Sequence, residues 1–87
     1  MVEIARLERH DIKFSIFPDE PHQLPHCHAV HKHKKATIDI ESVEIVIGSL
    51  GPSPNRRALE FVRTHQQEFL RAWRLVQDHK DPGKIAT

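Results

Sequence analysis

The chain has one cysteine, no tyrosine, one tryptophan and three glycines among its 87 residues. A lone cysteine excludes an internal disulfide and any zinc finger built on paired cysteines. Three scattered glycines leave no glycine-rich loop to cradle a phosphate. No apolar run approaches the roughly 18–20 residues that a membrane span needs. The opening "MVEIARLERHD" mixes charge with apolar residues, unlike a signal peptide. A cytoplasmic protein without membrane contact is the expectation. Neither sign of charge dominates: 13 Lys and Arg stand against 12 Asp and Glu, a net charge of +1. That balance gives a nucleic-acid partner little support.

With 38% hydrophobic and 29% charged residues, the composition suits a folded globular protein. Eighty-seven residues make one domain, 1–87. Its ordered core is expected over about 3–79, followed by a short tail at 80–87. A chain this short buries a thin core, so single side chains matter.

Histidine is what the sequence has in excess. Five of the eight histidines fall within residues 22–33, around the segment "LPHCHAVHKHKK". Unperturbed imidazoles titrate near pH 6.5, so the surface charge should depend on pH.

Alternation of apolar and polar residues marks the strands. In "IKFSIF" (12–17), Ile12, Phe14 and Ile16 share one face. Residues 2–7 form an earlier strand, with a turn near 9–11. "PDEPHQLP" (18–25) holds three of the six prolines and reads as a loop. Strands are expected at 26–32, 35–40 and 43–47, with a break at 48–55. Residues 54–79 read as one helix, with Ser53 as N-cap and Pro54 in the first turn. Leu59, Val62, Phe69, Leu70, Trp73 and Val76 form its apolar stripe. Arg56, Arg63, Arg71 and Arg74 fall opposite, interrupted by Glu60 and Asp78. The fold class is α+β: an antiparallel β-meander of three to five strands with one long C-terminal helix packed on one face.

On strand 26–32 the alternation sends Cys27, Ala29 and His31 one way and His26, His28 and Val30 the other. A two-residue turn at His33–Lys34 would set Ala29 opposite Ile38 and Cys27 opposite Ile40 in the core. His28 would then face Asp39, and His26 would face Glu41. A carboxylate neighbour orients an imidazole and raises its pKa. His26 and His28 thus become candidate acid–base residues, oriented by Asp39 and Glu41. Lys32, Lys35 or arginines would hold a phosphate in a ribonuclease-like reaction. The same two histidines could ligate a divalent metal such as zinc, with His22, Asp39 or Glu41 as third ligand. The bland alternative is a solvated, histidine-rich strand face. Cys27 reads as a small core residue rather than a nucleophile.

The segments "EIARL" (3–7), "IKFSIFPDEPHQLPHCHA" (12–29), "ATIDIESVEIVIGSL" (36–50) and "ALEFVRTHQQEFLRAW" (58–73) resemble the small bacterial domain-of-unknown-function 4160 family. The family's Pro-His-Phe-His motif corresponds to Pro25, His26, Cys27 and His28. Its helix pattern corresponds to Phe61, His65, Glu68, Leu70 and Trp73. Cysteine replaces the central aromatic, and phenylalanine replaces the first helix tryptophan. The acidic–histidine pair before the motif is spread over Asp19, Glu20 and His22. The resemblance implies a fold and a candidate site but no assigned chemistry. It also implies a gene arrangement like that of two-gene toxin–antitoxin or regulatory modules.

Three functions therefore stand open. The first is an accessory or regulatory module that binds a small partner protein. The second is an acid–base enzyme using His26 and His28, and the third is a metal-binding protein. The absence of a complete catalytic set favours the first.

Overall fold

The computed structural model describes residues 1–87. Five strands run in sequence: β1 (Val2–Leu7), β2 (Ile12–Ile16), β3 (His26–His31), β4 (Lys34–Asp39) and β5 (Glu44–Gly48). They form one antiparallel sheet in the order β1-β2-β3-β4-β5. This is the expected meander, and the class is α+β.

The inward residues of the alternating segments are buried together: Ile12, Phe14, Ile16, Cys27, Ala29, Ala36 and Ile38. Phe14 carries the sheet into the helical layer. Its ring stacks on Phe61 at 5.3 Å and meets Phe69 edge-on at 5.6 Å. Such aromatic pairs add to the stabilisation their buried area already provides.

The helical segment departs from expectation. There are two helices, α1 (Pro52–Thr64) and α2 (Gln66–Gln77), instead of one. Gly51, at φ 102°, precedes α1, so Ser53 lies inside the helix and caps nothing. The chain leaves helical geometry at His65, with φ −112° and ψ 27°. Two side chains hold the break. The Gln66 side-chain amide donates to the Ile40 and Glu41 carbonyls, pinning the start of α2 to the β4–β5 turn. The His65 ring packs on Phe61 and bonds Glu68 at 2.7 Å. The apolar stripe keeps its phase across the break, with Ala58 and Val62 buried in α1 and Phe69, Ala72, Trp73 and Val76 in α2. Hydrophobic periodicity alone therefore could not reveal it.

Residues 80–87, read above as a tail, run beside β1. The Ile85 N–H donates to the Ile4 carbonyl, and the Ile85 side chain is buried. Lys84 pairs with Glu3 at 3.0 Å. The β1 edge is thus partly covered, whereas no element pairs with the outer edge of β5.

The β3–β4 register also differs from the expected one. The turn is Lys32–His33, with Lys32 at φ 56° in the left-handed region. Cys27 therefore pairs with Ile38, and Ala29 with Ala36. On the other face His26 pairs with Asp39, and His28 with Thr37. The displacement is two residues. Side chains alternate with period two, so every inward residue stays inward in either register.

Candidate functional site

β3 leaves the Pro-rich loop at His26. Cys27 is fully buried on the core side, and burial pushes its thiol pKa up. Its neighbours His26 and His28 alternate with it along the strand; their rings lie 5.1 Å apart, with that of His26, at the strand end, turned toward α2. Each ring has an aromatic backing. Trp73 of α2 lies 5.0 Å from the His26 ring, and Phe17 lies 4.5 Å from the His28 ring.

The third member of the cluster is Glu20. One donor atom from each of Glu20, His26 and His28 lies within 4.8 Å of the other two. Glu20 comes from the loop before β3, and α2 holds that loop in place. The Gln77 side chain accepts from the Glu20 N–H at 2.7 Å and donates to the Phe17 carbonyl at 2.9 Å. One helix residue thereby fixes both ends of the segment that carries the carboxylate.

Hydrogen bonding decides which ring nitrogens are free. His26 Nδ1 lies 2.8 Å from the Leu24 carbonyl, an acceptor only, so this nitrogen carries a proton. His26 Nε2 then faces Glu20 Oε1 at 3.4 Å. His28 Nδ1 lies 3.5 Å from the Thr37 hydroxyl. His28 Nε2 is buried without a hydrogen-bond partner. Glu20 Oε1 and Ser15 Oγ share that condition, and no other buried side-chain oxygen or nitrogen in the chain does. Ser15 is the β2 partner of His28. All the unpartnered buried polar atoms thus belong to this cluster and its immediate neighbour. Native proteins rarely leave such atoms without a purpose.

Burial lowers the His28 pKa below the usual histidine value, and repulsion from His26 adds to this. The Glu20 carboxylate opposes both, but is the weakest of the three influences. The sequence-based expectation was a raised imidazole pKa. It fails for His28 because burial, with repulsion from His26, outweighs the one carboxylate nearby, Glu20.

The other candidates lie apart from the cluster. Asp39 Oδ1 accepts from the Glu41 and Ser42 backbone N–H groups, closing the β4–β5 turn. Asp39 thus sits opposite His26 in register while its carboxylate serves the turn. Glu41 is exposed and meets α2 only through its backbone carbonyl. The carboxylate beside the His26 ring is therefore that of Glu20, not of Asp39 or Glu41. His22 is exposed in the loop and is not part of the cluster. Lys32 is an exposed turn residue, and Arg56, Arg63, Arg71 and Arg74 are exposed on the helices. The sequence signal for Glu20 was its place in a proline-bounded loop six residues before His26. Only the fold of that loop distinguishes it from Asp19, which pairs with His79 instead.

The donor set can hold a metal. Zinc bound at about 2.1 Å in tetrahedral geometry keeps its donors roughly 3.4 Å apart. That is the His26 Nε2–Glu20 Oε1 separation of 3.4 Å. Metal-bound histidines commonly donate their second ring N–H to a backbone carbonyl, as His26 does to Leu24. Two histidines and one carboxylate leave further coordination positions open.

Fold and cluster together define a small α+β domain with a two-histidine, one-carboxylate site at the loop end of its central strand. The chain belongs to the family described as domain of unknown function (DUF4160), whose model matches residues 11–74. No curated protein and no solved structure matches the chain. No helix is long and apolar enough to cross a membrane.

Proposed function

We propose that this protein is a divalent-metal-binding module that holds a zinc-like ion through Glu20, His26 and His28. The observation that carries this reading is the convergence of three donor atoms, two of them buried without hydrogen-bond partners. A lowered His28 pKa favours the neutral imidazole that a metal requires. A bound ion would supply Lewis acidity at its open positions and satisfy the atoms that the fold leaves unpaired. Calorimetric titration of chelator-treated protein with zinc is expected to give one site per chain. Loss of a ligand should cost more than the roughly 10–100-fold typical of an outer-shell change. Glu20→Gln and His28→Ala should therefore each weaken binding by more than about 100-fold, whereas His22→Ala should leave it unchanged. Equal affinity in all four proteins would refute the site.

A second reading is favoured by a separate observation. The outer edge of β5 is unpaired, and Val46 and Ile47 on that strand are 57% and 67% exposed. An open, apolar edge is a template for an added strand. On this reading the chain is an accessory or regulatory module that receives a strand from a small partner protein, as in a two-gene toxin–antitoxin-like pair. Co-expression with the product of the adjacent gene should give a complex that Val46→Lys/Ile47→Lys abolishes. A complex indifferent to both lysines would place the contact elsewhere. On the acid–base reading, Glu20 and not Asp39 or Glu41 would be the carboxylate that orients His26.

A further inference from the structure

The helices cover one face of the sheet, and the other face carries a groove of about 470 Å³. Its lining follows from the register. Lys35, Val30 and Lys13 lie side by side across β4, β3 and β2. The next row holds Ile47, Thr37, His28 and Ser15. Phe17 closes the end near His28.

Two features of this groove stand out. The first is its charge. The lining includes Lys13 and Lys35 and no acidic residue. Neither lysine is in an ion pair. Glu3, next to Ser15 on β1, is already taken up by Arg6 at 2.9 Å and Lys84 at 3.0 Å. The second is Ser15. The residue is buried, with a relative exposure of 3%, and its hydroxyl has no hydrogen-bond partner. A buried serine without a partner in a groove with two unpaired cations is a place for acceptor oxygens that carry negative charge.

We propose that this groove binds a phosphate monoester carried on a flat, apolar, ring-sized body. The lysines sit on either side of Val30, two strand spacings apart, or about 10 Å at the backbone. Flexible four-carbon stems let both ammonium groups converge on one head of charge near −2. Ser15 and Thr37 supply hydroxyl donors on the adjacent row. Phe17, Val30 and Ile47 supply apolar walls, and the volume falls within the roughly 300–1,000 Å³ of small-molecule sites. Inorganic phosphate would leave most of that space unfilled. The groove adjoins the metal cluster through His28, but its charge and shape do not require an ion there. The test is therefore run in chelator and does not depend on the metal reading.

The probes are 4-nitrophenyl phosphate, adenosine monophosphate, inorganic phosphate and uncharged benzyl alcohol, titrated into the ¹⁵N-labelled full chain with EDTA. The two esters should shift the amide resonances of Ser15, His28, Val30 and Thr37. Inorganic phosphate should bind more weakly, and the alcohol should leave those resonances in place. The tighter of the two esters identifies the body as nucleoside or simple aryl. The two cations make charge-assisted contacts that a glutamine cannot replace, so Lys13→Gln/Lys35→Gln should weaken ester binding by at least about tenfold. Both lysines are surface-reaching, and an unchanged circular-dichroism melt verifies that the variant folds. The proposal is overturned if neither ester moves these resonances, if the alcohol binds as well as the esters, or if the folded double variant binds them undiminished.

Discussion

Replacing Trp73 by alanine should leave the domain largely unfolded at room temperature. Trp73 is 6% exposed and lies on the buried stripe of α2. Deleting a buried aromatic typically costs about 3–5 kcal/mol. Small domains have total stabilities near the low end of about 5–15 kcal/mol, so one such loss removes most of the margin. The consequence extends to the site, because the His26 ring packs on Trp73 at 5.0 Å. Trp73→Phe keeps an aromatic surface there and should retain a cooperative melt at reduced temperature. Urea denaturation followed by circular dichroism measures both. A Trp73→Ala midpoint equal to that of the wild type would mean that α2 does not pack as described.

Zinc should stabilise the chain, and more at about pH 8 than at about pH 6. A ligand present at about 100 times its Kd stabilises the folded state by roughly 2.7 kcal/mol. Ligating imidazoles must be neutral, so protons compete with the ion as pH falls. The metal-free protein should change with pH in the same direction. The folded-state pKa of His28 lies below its ordinary value of 6.5. Below 6.5 the unfolded chain therefore takes up a proton that the folded chain resists. The neutral His28 contribution is complete above that value and is lost as pH falls. Thermal melts at both pH values, in zinc and in chelator, isolate the effect when wild type is compared with His28→Gln. The variant should lose most of the zinc shift and flatten the acid side of the chelator curve. A wild-type protein that gains stability relative to His28→Gln on acidification would contradict the burial of a neutral imidazole.

These expectations rest on features that entered at different levels. Alternation in "IKFSIF", "HCHAV" and "KATIDI" was enough to define strands and to assign Cys27, Ala29, Ala36 and Ile38 to the core. It was equally enough to set His26 and His28 in alternation with Cys27. Both follow from local backbone geometry, because neighbouring side chains on a strand point oppositely wherever that strand is placed. The helix stripe was legible for the same reason, and Trp73 on it is buried as its position requires.

Register, the helix break and the third site residue were not local. The expected and observed β3–β4 pairings differ by two residues and bury the same set of side chains, so hydrophobicity could not separate them. The left-handed Lys32 in the turn belongs to the observed register, which moves Thr37 opposite His28 and frees Asp39 for its own turn. The break at His65 accompanies the bonds that Gln66 makes to carbonyls 25 and 26 residues earlier. Glu20 reaches His26 because Gln77, 57 residues later, holds its loop. The sequence by itself determined the strands, the buried stripe and the alternation of His26 and His28 with Cys27, since each depends on the period of one segment. Only the tertiary structure decided that Glu20 joins them while Asp39, Glu41 and His22 do not. That choice depends on hydrogen bonds between segments far apart in the chain, and no periodicity encodes them.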